Sequence, residues 1–549
     1  MVLFLKFLVA LLLVFTPFSF AATEPWAFSI IQGISLLIWF LLLITRREIL
    51  YPSLCKPVFY VFFVIVGLSL VQSCFSQTLL DPVPFYPITL MRLYTLEHAS
   101  VFVTYLGVIL LTIQLFPSLQ EVKQLLWMLI VSAIGVALCA LCFPNGEYVA
   151  KLTGMTRYKE AIGPFINRNH AGMFFTLNSL VALGLFFTYQ LRYKFVLARE
   201  QKNTFVLQQV SLAVLTICLM IGVVFTRSRG AMLSLLVGLF TYAVLCFWSI
   251  PSQLKKRLKG FFYTFVLLIL SVGCIYTYVD DINEFAHRST GASAEIRQMM
   301  YRSANRVLRK YPIWGIGVGS MPIVISSYTE WDVHKYIERL HNDWLEMTLG
   351  MGYAGAGLVF IGLLWFMWKV LRRLKRLETR KQFLFASLLS ALVAMGVGSL
   401  VDFHFFIPGC ALVFFVILGV VLAPTFHKHH VHEIRLSAPL RLLVCTVLIG
   451  AAFIPLQKTR CWRQFFIGNG LKTEAKLKAY EQGLSYYPGA HYAARLANAY
   501  YNASLQSKDE AEKLHYLELA RQITQHYLEQ YPKDKELSKV YIRAWRQLR

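Results

Sequence analysis

The chain has 549 residues, 57% of them hydrophobic and 15% charged, with a mean hydropathy of +0.55. That balance excludes an ordinary soluble enzyme and reads as a polytopic membrane protein. The net charge of +25 would suit a nucleic-acid binder in a soluble chain, but here the basic residues fall largely in loops between apolar segments, so nucleic acid is not an expected partner. A span needs about 20 mostly apolar residues. Candidates lie near 3–20, 26–45, 58–75, 99–116, 125–143, 170–189, 206–225, 230–248, 260–278, 344–367, 382–401, 407–424 and 437–456. The expected fold is all-α: a transmembrane bundle of about 12–13 spans with a helical outer loop and a helical tail. Residues 1–25 read either as a first span or as a signal peptide, with Lys6, an apolar stretch and a small-residue end. The expected domains are this segment, a transmembrane domain 26–456 that includes the loop 279–343, and a tail 457–549.

Loop charge sets the orientation. The segments 45–56, 191–202, 255–259, 369–381 and 427–435 are strongly basic, and alternation through the spans puts them all on one side. By the positive-inside rule that side is the cytoplasm. The loops 76–98, 144–169, 226–229, 279–343 and 402–406 then face outward, as does the tail after Gln457. Arg227 and Arg229, in the very short turn of VVFTRSRGAML, therefore sit where positive charge is uncommon. Arginine's planar fork matches phosphate oxygens, so the pair is a candidate anion site. The loop 279–343 adds Arg297 and several further basic residues on a helix that Pro312 and Gly315, Gly317 and Gly319 stop. Arg302 reads as helix surface.

His341 precedes a span at the outer interface, and Asn342 and Asp343 are helix-cap types. Gly350, Gly352, Gly355 and Gly357 are expected to form a smooth face for close helix packing. Asn167, Arg168, Asn169 and His170 cluster at another helix mouth and are possible substrate-binding residues, with Asn342 a further one. Asp343 and Glu346 are alternative bases to His341. Asp402 and His404, in VDFHFF, lie between two spans and carry no strong signal. Cys139 and Cys142 form C-x-x-C within an apolar helix and read as core. No zinc spacing, P-loop or dinucleotide fingerprint occurs. No metal site or cofactor is expected.

The sequence resembles the O-antigen ligase superfamily, which also includes O-antigen polymerases and protein O-oligosaccharyltransferases. HNDWLEMTLGMGYAG fits the family's His-(Asn/Ser/Gln)-nine residues-Gly-two residues-Gly pattern through His341, Asn342, Gly352 and Gly355; Ala356 departs from the usual next residue. FTRSRGAML is similar to its short arginine turn. EIRQMMYRSANRVLRKYPIWGIGVGS is similar to its arginine–aromatic and Pro–Gly-x-Gly-x-Gly segment, with Tyr301 where Trp is commoner. GPFINRNHAGMF is similar to its Asn-x-Asn start of a helix. The four motifs stand in the family's order over roughly 160–420. The resemblance implies a multi-pass protein of the bacterial inner membrane. Its donor would be a polyprenyl-pyrophosphate-linked glycan, used at a periplasmic active site. Arg227, Arg229 and Arg297 would hold the donor pyrophosphate, and His341 would be the base or orienter for the acceptor hydroxyl. Inverting, metal-independent transfer is expected. The acceptor is lipid A–core in the closest reading, with another glycan or a protein as alternatives. A transporter or flippase would need paired inverted halves and mid-membrane ionisable groups, and neither is evident. A pure scaffold would leave the four motifs unexplained.

The tail changes character after Gln457. Residues 472–549 are polar and helical in period, and Tyr-Pro pairs ending at Pro488 and Pro532 mark a repeat. The offset exceeds the roughly 34 residues of a tetratricopeptide unit. A short tetratricopeptide-like pair and a plain helical hairpin fit about equally. So few repeats are marginal alone, so the tail is expected to pack on the membrane domain or on a protein partner.

Overall fold

A computed structural model describes residues 1–46, 48–75, 86–149, 161–190, 199–249, 281–326, 328, 339–427, 431–530 and 535–548. The helices are α1 (Val2–Phe18), α2 (Pro25–Thr45), α3 (Cys55–Cys74), α4 (Arg92–Leu115), α5 (Leu119–Cys142), α6 (Arg168–Gln190), α7 (Arg199–Phe225) and α8 (Arg229–Ser249). They continue as α9 (Asp281–Lys310), α10 (Met321–Ser326), α11 (Asp343–Lys375), α12 (Thr379–Gly398), α13 (Pro408–Val421) and α14 (Ala438–Asn469). The tail supplies α15 (Thr473–Tyr486), α16 (Ala490–Gln506), α17 (Glu510–Gln530) and α18 (Lys535–Leu548). Ten helices among the described residues are long and apolar enough to cross a membrane, and α1 and α13 are shorter apolar helices. The chain is thus an all-α, multi-pass membrane protein. Each expected span corresponds to one of these helices, except 260–278, which lies outside the described residues.

Helix α6 is the axis of the bundle. It is almost wholly buried, packed between α7, α8 and α12. Its polar side chains close on their own backbone: Asn178 Nδ2 donates to Phe174 O at 2.8 Å, and Thr188 Oγ1 to Gly184 O at 2.6 Å. Polar groups surrounded by apolar helices need such partners. Small residues set the spacing. A Cβ on Gly238 would come within 2.5 Å of Leu180 Cδ1, so the Leu180 side chain of α6 packs directly on the α8 backbone. At the other extreme α14 is mostly unburied. Its 32 residues make a rod of about 48 Å, against an apolar bilayer core of about 30 Å. It therefore projects beyond the bundle and carries the tail at its far end.

Of the basic segments, the described parts of 45–56, 369–381 and 427–435 share one end; 255–259 and most of 191–202 lie outside the described residues. Strands β1 (Glu48–Pro52) and β2 (Val431–Arg435) pair antiparallel there, with Glu48 opposite Arg435. Lys369 Nζ donates to Ser53 O at 3.3 Å, Lys381 Nζ to Thr425 O at 3.1 Å, and Arg441 Nη1 to Leu43 O at 3.0 Å. Helix α1, left open by the sequence, is seated in the core. Lys6 pairs with Glu121 at 2.7 Å, Ser132 Oγ donates to Leu13 O at 2.8 Å, and Leu5, Leu12 and Leu13 are buried.

Helix α11 differs from the expected smooth face. It breaks at Gly352, which has φ 67 and ψ 179. A loop strand repairs the break. Ile316 N donates to Leu349 O and Gly317 N to Gly350 O, both at 3.0 Å; Tyr353 N donates to Pro312 O at 2.8 Å and Ala354 N to Ile313 O at 3.1 Å. Gln72 Nε2 seals the junction, donating to Trp314 O at 2.7 Å and Gly350 O at 2.9 Å. The Pro-Ile-Trp-Gly-Ile-Gly loop and the glycine-rich helix are thus two halves of one hydrogen-bonding unit. A Cβ at Gly352 would lie 2.1 Å from Ile313 O, in a backbone region that is essentially glycine-only. Gly357, by contrast, faces open space. Gly352→Ala is expected to cost about 3 kcal/mol or more, with Gly357→Ala within about 0.5 kcal/mol of wild type. Thermal unfolding of the two variants in detergent checks this; equal stability would refute the account of the break.

Candidate active site

The site forms where four chain segments meet at the end of the bundle opposite the basic loops. The turn after α12 and the start of α11 are stitched together. Asp343 N donates to Ser399 O at 2.9 Å, Phe405 N to Asp343 Oδ2 at 3.0 Å, and Trp344 Nε1 to Gly396 O at 2.8 Å. This places His341 Nδ1 3.0 Å from Asp402 Oδ1. The His341 side chain is 30% exposed and Asp402 only 4%, so the imidazole faces outward from a buried carboxylate.

Asp402 is held from every side. Asn169 Nδ2 donates to Oδ2 at 2.7 Å, and Phe403 N donates to Oδ1 at 2.9 Å. His170 Nε2 lies 3.9 Å from Oδ1. Burial alone would raise this carboxyl. The His341 hydrogen bond and the neighbouring imidazoles of His404 and His170 outweigh burial and hold it well below the usual carboxylate range. An ionised carboxylate only accepts, so the Nδ1 of His341 carries the proton it donates, and Nε2 is the nitrogen turned away from Asp402. Phe403 sets the spacing, its ring 5.0 Å from that of His341 and 4.8 Å from that of His170. His404 is buried, and desolvation pushes its imidazole down to about 4, so it is neutral near pH 7.

The backbone of His341 is also special, with φ 53, a conformation rare for non-glycine residues. Its neighbours enforce it. Glu346 takes Arg339 Nη1 at 2.7 Å and the Leu340 N–H at 3.3 Å. Tyr301 OH donates to the His341 carbonyl at 3.3 Å. Glu346 is therefore engaged in holding the segment that carries His341. Asn342 caps α11, its Oδ1 accepting Leu345 N at 3.0 Å.

The arginine turn sits beside this cluster. A Cβ on Gly172 would come within 2.5 Å of Ala231 and 2.8 Å of Thr226 Oγ1, and one on Gly230 within 3.1 Å of Val401. Residues alternate along the turn: Thr226 and Ser228 are buried, Arg227 and Arg229 exposed. Arg227 shares the left-handed conformation of His341, with φ 52. Arg297 lies one helical turn before Tyr301 on α9 and is half-buried. Among the described residues no carboxylate pairs with Arg227, Arg229 or Arg297. Of the helix-mouth cluster, Asn169 and His170 face Asp402, Asn167 Oδ1 accepts Asn169 N at 2.8 Å, and Arg168 is half-buried at the start of α6. No described grouping of three or more His, Cys, Asp or Glu side chains is arranged to hold a metal ion.

Asp402 at the centre is what sequence reasoning underrated. Its signal was one acid in an apolar turn, with nothing linking it to His341 until the fold brought the two segments together.

Residues 213–360 match the family model described as O-antigen ligase. A comparison with curated proteins finds no match. The matched stretch contains the arginine turn, Arg297, His341 and the Gly352 break, so the match supports the O-antigen ligase superfamily and, with it, glycan transfer of the ligase or polymerase type by a multi-pass membrane protein.

Proposed function

We propose that this protein transfers a glycan from a polyprenyl-pyrophosphate carrier to an acceptor hydroxyl at the periplasmic face of the bacterial inner membrane, with lipid A–core as the acceptor. The observation that carries the reading is the Asp402–His341 pair together with three arginines that have no carboxylate partner among the described residues. His341 Nε2 takes the proton from the acceptor hydroxyl. The acceptor oxygen forms its bond to the anomeric carbon as the bond from that carbon to the pyrophosphate oxygen breaks. The electron pair leaves on the pyrophosphate, and Arg227, Arg229 and Arg297 stabilise the charge that develops there. The imidazolium is stabilised by Asp402 until it releases its proton to water. One direct displacement inverts the anomeric centre. Fixed guanidinium charges take the role a divalent ion would otherwise fill. The basic loops at the opposite end of the bundle support the orientation.

The test is the lipopolysaccharide banding pattern of a strain lacking the protein, with wild type or His341→Ala added back. The expected result is bare core, restored to a ladder by wild type alone. An untouched ladder would overturn lipid A–core as the acceptor, and the search would move to a glycoprotein that has lost its glycan.

A further inference from the structure

Helix α9, which carries Arg297 and Tyr301, meets α11 and the short α10 near the edge of the bundle. Its buried face consists of Met300, Ala304, Val307 and Leu308. One continuous buried cluster joins those residues to Ala490, Ala493, Ala494, Tyr527 and Leu537 of the tail. The same cluster takes in Leu90, Met91 and Leu340, so the tail's alanine face and the α9 apolar face are buried in one continuous core.

A polar latch fixes the same tail to the bundle. Glu97 on α4 accepts Lys458 Nζ of α14 at 2.5 Å and Tyr487 OH of the tail at 2.8 Å. Tyr94 packs edge-on against Tyr487 at 6.5 Å, and Lys458 lies 5.9 Å over the Tyr487 ring. The Glu97 side chain is only 13% exposed, so its two partners replace most of the water it would otherwise bind. Next along α4, the His98 ring meets Phe406 at 5.4 Å, and the guanidinium of Arg339 stacks on the same Phe406 ring at 3.8 Å. Arg339 is the residue that Glu346 holds two positions before His341. The latch therefore reaches the site by two routes: through the tail to α9, and through Phe406 to the His341 segment.

We propose that the C-terminal tail is the support that holds the arginine-bearing helix α9 over His341, and that Glu97 is the positioning residue that latches it. The proposal rests on the transferase reading for its kinetic consequence only. A tail built solely to present a binding surface to another protein would not need to bury its alanine face in the core that also buries α9.

The experiment compares Glu97→Ala, Ala493→Trp and the reciprocal swap Glu97→Lys/Lys458→Glu with wild type in the full-length protein. Amide hydrogen exchange is read alongside steady-state transfer from a polyprenyl-pyrophosphate glycan. In Glu97→Ala and Ala493→Trp, exchange is expected to rise about tenfold or more in 296–310 and in 490–506, with 168–190 unchanged. Donor KM is expected to rise by a similar factor while kcat stays within about twofold, the pattern of lost binding rather than lost chemistry. The charge swap is expected to restore both toward wild type. A tail that loosens while 296–310 keeps its protection overturns the proposal, and so does an unchanged donor KM. Coupled exchange in a wild-type protein that transfers no such glycan leaves the latch standing and overturns the transferase reading instead.

Discussion

Replacing His341 by alanine is expected to lower the transfer rate by about 10²–10⁴-fold, the range a positioned general base contributes. Donor affinity is expected to stay within about twofold, because the imidazole acts on the acceptor rather than on the pyrophosphate. Asp402 gives the sharper test. Both of its oxygens receive donors: Asn169 on Oδ2, Phe403 N and His341 on Oδ1. Asp402→Asn keeps the shape, and the Asn169 amide can turn to offer its oxygen to the new NH₂ group. The His341 tautomer then survives and only the negative charge is lost. Asp402→Asn should therefore retain more activity than Asp402→Ala, which loses the charge and the orienting acceptor together. Single-turnover rates with saturating donor check the order. Wild-type rates in His341→Ala would remove its role as base, and equal rates in the two Asp402 variants would remove the orienting role.

The second large effect is on the donor side. Arg297→Ala and Arg227→Ala are each expected to lower transfer by about 10²–10³-fold, the cost of losing one donor aimed at developing negative charge. Arg297→Lys should rescue poorly, since an ammonium cannot make the two-pronged contact. Arg227 allows a further separation. Its φ of 52 costs a non-glycine residue about 1–2 kcal/mol, which glycine avoids. Arg227→Gly is thus expected to be more stable than wild type and as inactive as Arg227→Ala. Thermal unfolding and transfer, measured on the same preparation, check both halves. An active Arg227→Gly would mean the turn is there for its shape rather than for its charge.

The membrane helices were legible because an apolar run of bilayer length has few other uses, and the basic segments that are described do fall at one end. The break in α11 was not. Gly350, Gly352, Gly355 and Gly357 read alike along the chain, yet only Gly352 takes a conformation that demands glycine; Gly350 lies against the Val318 backbone and Gly357 touches nothing. Local spacing does not say which glycine will face a strand arriving from another loop. His341 and the arginines stood out as candidates through residue type and motif. Asp402 did not, because its part in the site depends on contacts made across 61 residues of sequence. Asn342 was legible as a helix-cap type, and its side chain does cap α11. The tail's repeat pattern indicated helices and a need for a packing partner, but not that its core would be continuous with that of the helix carrying Arg297.

The paired break in α11 also bears on how the protein is made. Leu349, Gly350, Tyr353 and Ala354 lack helical partners and find them on the Pro312–Gly317 segment. That segment is synthesised first. The helix that follows His341 therefore finishes its bonding only when an earlier stretch of chain is in place to receive it. Lesions at this seam are therefore expected to act on assembly of the fold, before any question of turnover arises.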